Sequence, residues 1–242
     1  MEKPILIKIL DLKLLKWLDR ILIKIHIIHR SKKLNKSIPN DIGSEIDEYE
    51  NMFVPDNLVK FSFIKDGFFV LLNGRATGAN GILLTPEWAA RLLLDNNDDT
   101  INAYLITIGH EMTHNEGDFS INGLQGKNKK FVNWVNEVHA DFGAAEKMVN
   151  SDRQKLKDSM QYKMDAKKKP RCKFLNNFIK KVLNLLHSDE YTHPTWETRL
   201  EYATNYNFNK TLIEEIAKQT GCTNDKLINE ISKFYGDIVL KD

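Results

Sequence analysis

His110-Glu111-Met112-Thr113-His114 holds the residues whose types and spacing most plainly suggest chemistry. Two imidazoles four positions apart share one helix face, so both can reach a single metal ion. Glu111 stands about 100° round such a helix from His110. It can touch a water at the metal without ligating the metal itself. Two neutral nitrogens and one free carboxylate suit the activation of water on zinc. Three fixed positions in five recur by chance, so a third ligand and a supporting shell are required. Glu137 and Asp141 are candidates for both. They lie four apart on a second periodic segment, with 22 residues between His114 and Glu137, room for a loop and a returning helix. Glu137 reads as the third ligand. Asp141 reads as the acceptor of the outer N–H of a ligand imidazole, which fixes its tautomer. The competing reading is a solvated acidic face, and the apolar periodicity around both residues argues against it. His139 projects away from both and reads as a surface or second-face histidine.

Elements must bring these groups together. Ile101, Tyr104, Leu105, Ile108 and Met112 form the apolar stripe of the motif helix, with Asp98 or Asp99 as its cap and Gly117 at its end. The second helix spans about 130–149 and buries Phe131, Trp134, Val135, Val138, Phe142 and Ala145. Upstream, Val59–Ile64 and Phe68–Leu72 read as a hairpin turning at Lys65-Asp66-Gly67. A Gly-rich stretch, Asn73–Gly78, follows it, and then a strand over Ala79–Thr85. Thr85 caps a helix opened by Pro86. Residues 151–173 read as polar and basic with a break at Lys167-Lys168-Lys169-Pro170. Phe174–Leu186 reads as an amphipathic helix, Pro194 starts another through Trp196 and Leu200, and two short helices over about 210–218 and 224–239 end the chain.

Residues 5–30 read as one long basic amphipathic helix. Its seam is Ile7, Leu10, Leu14, Trp17, Ile21, Ile25 and Ile28, with Lys8, Lys13, Lys16, Arg20 and Lys24 on the polar face. Such a helix suits docking on its own domain, contact with a membrane surface, or contact with a partner helix. The expected division is residues 1–36 as this helix, 37–57 as a connector with one short helix, 58–205 as the domain carrying the motif, and 206–242 as a helical extension packed on that domain. The fold class is α+β.

With 42% hydrophobic and 28% charged residues, the chain of 242 residues has an ordinary globular composition, and a net charge of +2 selects no partner. No uncharged apolar run of about 18 residues occurs, and charges interrupt the N-terminal apolar stretch, so neither a spanning helix nor a signal peptide is expected. Cys172 and Cys222 form no zinc-type pair and read as reduced thiols of a cytoplasmic protein. The lysine run at 167–169 lacks interleaved aromatics, which argues against nucleic acid and for a solvated loop.

His110-Glu111-Met112-Thr113-His114 followed by Asn136-Glu137-Val138-His139-Ala140-Asp141 resembles the H-E-x-x-H … E-x-x-A-D signature of gluzincin zinc metallopeptidases, nearest to the HtpX-like and CAAX prenyl endopeptidase family. Asn80-Gly81-Ile82-Leu83-Leu84-Thr85 sits where that family has an edge strand. Thr192-His193-Pro194 with Arg199 is similar to its downstream H-P … R element. The resemblance spans about residues 73–205 and fits the family's soluble branch, since no transmembrane helix is read here. It implies a zincin-like fold and a zinc endopeptidase. Zn²⁺ would sit on His110, His114 and Glu137, with Glu111 as general base. His193 would be an active-site histidine close to the metal, assisting the oxyanion or filling the fourth position of a latent enzyme. It could instead be the cap of the helix after Pro194. Arg199 would pair with Asp141 or Glu137, or lie on the surface. The protein or peptide substrate would run along Asn80, Gly81, Ile82, Leu83 and Leu84 as an added strand. Two alternatives share this site: a latent or inactive zinc-binding regulatory scaffold, and a regulatory peptidase of the ImmA/IrrE type.

Overall fold

The structure, a computed structural model, describes residues 13–51, 58–61, 72–78, 80–167 and 193–242. The described elements run α1 (Lys13–Leu34), α2 (Ile42–Asn51), β1 (Leu58–Phe61), β2 (Gly74–Ala76), β3 (Gly81–Leu84), α3 (Pro86–Leu94), α4 (Asp98–Glu116), α5 (Gly126–Val149), α6 (Arg153–Lys167), α7 (Trp196–Asn205), α8 (Lys210–Thr220) and α9 (Asp225–Phe234). The chain is α+β, mostly helical with a small sheet. No described helix is long and apolar enough to cross a membrane.

The sheet has the order β1-β3-β2. β1 pairs with β3 in parallel, Leu58 opposite Gly81 through Phe61 opposite Leu84. β2 pairs with β3 antiparallel, Gly74 opposite Leu84 and Ala76 opposite Ile82. Two expectations change here. The Gly-rich stretch carries a strand, because Gly78 (φ 72°) and Asn80 (φ 62°) take the left-handed conformation that lets the chain return as β3. Gly81–Leu84 is the middle strand and buried throughout, with both hydrogen-bonding edges occupied, so it offers no free edge to a substrate. The turn and second strand of the expected hairpin, residues 62–71, lie outside the described residues. So do Cys172, Lys168, Lys169 and the expected helix 174–186.

α4 is the wall between two apolar clusters. Tyr104 and Ile108 join Val59, Phe61, Ile82, Leu84 and Trp88 on the sheet side. Ile106 joins Phe131, Val135, Val138 and Phe142 on the α5 side. The expected stripe is therefore too narrow: Ala103, Tyr104, Ile106, Ile108 and Gly109 are buried, whereas Ile101, Leu105 and Met112 are half-buried. The cap is Asn97, whose side chain accepts from the Thr100 N–H; Asp98 and Asp99 occupy the first turn, where the helix dipole favours carboxylates. α6 replaces the expected polar stretch, burying Leu156, Met160 and Met164 at helical spacing. Phe208, Leu212, Ile213, Ile216 and Ile231 of the C-terminal segment share the α5-side cluster. His139 belongs to that contact rather than to the surface. Its ring stacks 4.0 Å from Tyr235 and meets Phe208 edge-on at 5.0 Å, and burial pushes its pKa down to about 4.

α1 docks by a different face from the one its seam indicated. Leu22, Ile23 and Ile27 are buried, while Trp17, Ile25 and Ile28 are exposed. The reason is electrostatic. Glu87 of α3 is fully buried and needs partners. His26 Nδ1 lies 2.9 Å from it, Arg91 of its own helix 3.2 Å, and Arg30 3.5 Å. Arg30 also forks onto Asp95. Turning the Ile25 seam inward would carry these partners away from Glu87.

The crossing of α4 and α5 is tight because both helices carry glycine where they meet. A Cβ on Gly109 would lie 2.9 Å from the Ala144 Cα, and one on Gly143 would lie 2.7 Å from the Thr113 Oγ1. Gly109→Val should therefore force the helices apart and cost at least about 1–3 kcal/mol in urea unfolding, despite valine's smaller backbone entropy. A stability within experimental error of the parent would refute this account of the crossing.

Candidate metal centre

The crossing sets His110 and His114 of α4 opposite Glu137 of α5. The two Nε2 atoms lie 3.0 Å apart. Glu137 presents one oxygen 3.5 Å from His110 Nε2 and the other 3.5 Å from His114 Nε2. Ligand atoms of a tetrahedral zinc with bonds of about 2.0–2.1 Å stand roughly 3.3 Å apart. The three side chains thus approximate one face of that tetrahedron, and they are the group among the described residues able to hold a metal.

The outer nitrogens explain why the inner ones converge. His110 Nδ1 is 3.0 Å from Asp141 Oδ1. His114 Nδ1 is 2.9 Å from both oxygens of Asp118. Each Nδ1 faces a carboxylate, which turns both Nε2 atoms toward the same point. Two lone pairs that close repel unless a cation stands between them. Glu137 and Asp141 both contact Arg199, Glu111 acts on it electrostatically, and Asp118 stands behind His114. Burial works against charge on His114, but hydrogen bonds to Asp118 and Glu137 prevail and raise its pKa to about 10. Glu137 shows the mirror effect. Burial would raise it, yet hydrogen bonds from His110, His114 and His193 hold it well below the usual carboxylate range.

Arg199 is buried, not at the surface. Its Nε donates to Asp141 Oδ2 at 2.7 Å, its Nη2 to Asp141 Oδ1, and its Nη1 lies 3.5 Å from Glu137. Its guanidinium sits 4.2 Å from the Trp196 ring, which carries Lys163 at 4.8 Å. Burial pushes the Asp141 pKa up, and the Arg199 charge with the bonds from His110 and Arg199 overrides this, bringing it to about 2. His193 stands at the mouth, 58% exposed, with Nδ1 3.0 Å from Glu137 Oε1. It does not cap the next helix. Thr195 does, accepting from the Thr198 N–H, so the helix begins at Trp196 rather than at Pro194.

Glu111 is adjacent to the ligand triangle but outside it. One of its carboxylate oxygens accepts from the Ala76 N–H at 2.6 Å, and β2 lies so close that a Cβ on Gly74 would sit 2.9 Å from the Glu111 Cγ. The site opens into a cleft of about 850 Å³ lined by Gly74, Arg75, Glu111, Lys163, His193 and Trp196 among others.

Several contributors escaped the sequence reading. Asp118 sits four residues beyond His114, the right spacing, but past the helix end; Gly117 (φ 136°) turns the chain and brings it back under the imidazole. Tyr235 clamps that segment from the C-terminal extension. Its hydroxyl accepts from the Phe119 N–H at 2.9 Å and donates to Asn136 Oδ1 at 2.8 Å, while Asn136 Nδ2 donates to the Phe119 carbonyl at 3.0 Å. Asn115 ties the end of α4 to the β2–β3 turn through Gly78 and Gly81. Nothing in the local sequence of Tyr235 signals its partner 116 positions away. Set against protein-family models, curated proteins and solved structures, the chain matches none.

Arg199 is the guanidinium buried against Asp141, which gives a signed prediction. The Asp141 pKa is lowered on folding, so the pair contributes stability above about pH 4 that is lost as pH falls toward 2. Arg199→Leu strands a buried carboxylate and should cost about 3–5 kcal/mol at pH 7. The deficit should shrink on acidification toward pH 4, because Asp141 then protonates in the folded variant. Urea titrations at both pH values test this; a deficit equal at both would contradict it.

Proposed function

We propose that the chain is a zinc-dependent endopeptidase of zincin-like fold, in keeping with its resemblance to the soluble branch of the HtpX-like and CAAX prenyl endopeptidase family. One observation carries the reading: the Nε2 lone pairs of His110 and His114 and the Glu137 carboxylate converge at tetrahedral spacing, each imidazole held in its tautomer by a carboxylate behind it. Nitrogen and oxygen donors in this set suit zinc. Zinc held there supplies Lewis acidity, lowering the pKa of water toward about 7 and polarising the scissile carbonyl.

The remaining steps belong to the chain's own groups. Glu111 accepts a proton from the attacking water and returns it to the leaving amine. The Ala76 N–H fixes one of its oxygens, which leaves the other to reach the water. His193 at the mouth donates a hydrogen bond to the developing oxyanion. Asp141 and Asp118 orient the two imidazoles, and Arg199 keeps Asp141 ionised.

The substrate strand moves from β3 to β2. Asn73 O accepts from the Thr85 N–H and the Thr77 N–H donates to Gly81 O, so the odd-numbered residues pair with β3. Gly74 and Ala76 direct their backbone groups the other way, and there the Ala76 N–H meets Glu111. An extended peptide added along that outer edge passes beside the general base. A latent regulatory form has one observation in its favour, the seat of His193 directly on Glu137.

Metal analysis of protein purified without added metal should give about one zinc per chain. Glu111→Gln should keep the metal and slow cleavage of a peptide library by about 10²-fold or more. Parental turnover in that variant would overturn the mechanism. His193→Ala separates the two roles of His193, since slower cleavage supports oxyanion assistance and faster cleavage supports latency.

A further inference from the structure

We infer that the outward face of α1 is a docking surface for an anionic lipid bilayer. The helix is held to the protein by its opposite face, through Leu22, Ile23, Ile27, the hydrogen bond of His26 to Glu87 and the ion pair of Arg30 with Asp95. Outward it presents Trp17, Ile25 and Ile28, exposed at 58%, 48% and 43%, with Ile21 half-buried among them. At about 100° per residue, Ile28, Ile21 and Ile25 fall roughly 20°, 40° and 80° round from Trp17. They make one narrow apolar arc running along the helix. Arg20 and Lys24, both exposed, border it at about 60° and 20° on the other side of Trp17, and exposed Lys32 lies at its C-terminal end.

Charge decides the occupant. The only carboxylate in α1 is Asp19, and it is buried, so the helix turns no acid outward beside its exposed cations and hydrocarbon. That pairing matches a bilayer carrying anionic headgroups: the apolar arc enters the acyl boundary while long cationic side chains extend to the phosphate level. A second copy of the chain fits worse. Two such seams face to face set Arg20 and Lys24 against like charges, with no exposed acid from α1 in either copy to complement them. In the sequence the same apolar spacing continues back through Leu14, Leu10 and Ile7, with Lys8, Lys13 and Lys16 among them. The inference does not depend on the metal site or on peptidase activity.

The test is co-sedimentation of the full chain with phosphatidylcholine vesicles, with and without phosphatidylserine. Phosphatidylserine should raise the bound fraction about tenfold or more at low salt, and high salt should reverse the gain. The double variant Ile25→Ser/Ile28→Ser should abolish binding, and Arg20→Glu/Lys24→Glu should abolish its dependence on phosphatidylserine. Both pairs are exposed, so circular dichroism and thermal melts should match the parent. Equal sedimentation with both lipids, or binding unchanged in the serine double variant, would overturn the inference. A concentration-dependent dimer abolished by the same serine pair would overturn it in favour of a second copy.

Discussion

The closeness with which α4 and α5 cross governs everything built on them. Gly109 lies against Ala144 and Gly143 against Thr113, with no room at either point for a further methyl group. Glycine is poor in a helix interior, costing roughly 0.5–1 kcal/mol relative to alanine. Here that cost permits backbones to approach until short side chains from both helices meet. His110 follows Gly109 directly, and Asp141 precedes Gly143 by two. The crossing point and the site are therefore one structure, and a wider crossing would leave Glu137 out of reach of both imidazoles.

Around that point the protein concentrates negative charge and then neutralises only part of it. Arg199 satisfies Asp141 and reaches Glu137, while Asp118 and Asp141 are each committed to an imidazole Nδ1. The remaining field is directed at the Nε2 atoms, where it raises the affinity for any small cation, proton or metal. The same rule operates at the other end of the molecule, where buried Glu87 gathers His26, Arg30 and Arg91. There the neutralisation is ample and the result is adhesion: a carboxylate decides which face of α1 lies against the protein.

The C-terminal extension contributes more than bulk. Tyr235 reaches Phe119 and Asn136 at once, bracing the segment that carries Asp118 and the turn of α5 just before Glu137. His139 fills the space beneath, kept neutral by burial among Tyr235 and Phe208. An imidazole two residues from Glu137 is thus turned away from His110 and His114 and packed among aromatic rings on the far side of the same helix.

The sequence by itself determined the shared face of His110 and His114 on α4, the common face of Glu137 and Asp141, the α+β class and the position of most described helices, because these follow from periodicities of 3.6 and 2 that a chain carries locally. It also pointed to Arg199 and His193, through a resemblance rather than through spacing. Tertiary structure alone decided what depends on two distant segments meeting. The strand order that buried Gly81–Leu84 and left Gly74–Ala76 beside Glu111 is a choice of neighbours, and strand neighbours are not written in a strand's own alternation. The rotation of α1 was decided by a carboxylate more than fifty residues away, which outweighed an apolar seam that any local reading would turn inward. Asp118 and Tyr235 became part of the site only because a glycine turn and a C-terminal helix carried them there, and no local pattern encodes contacts of that range.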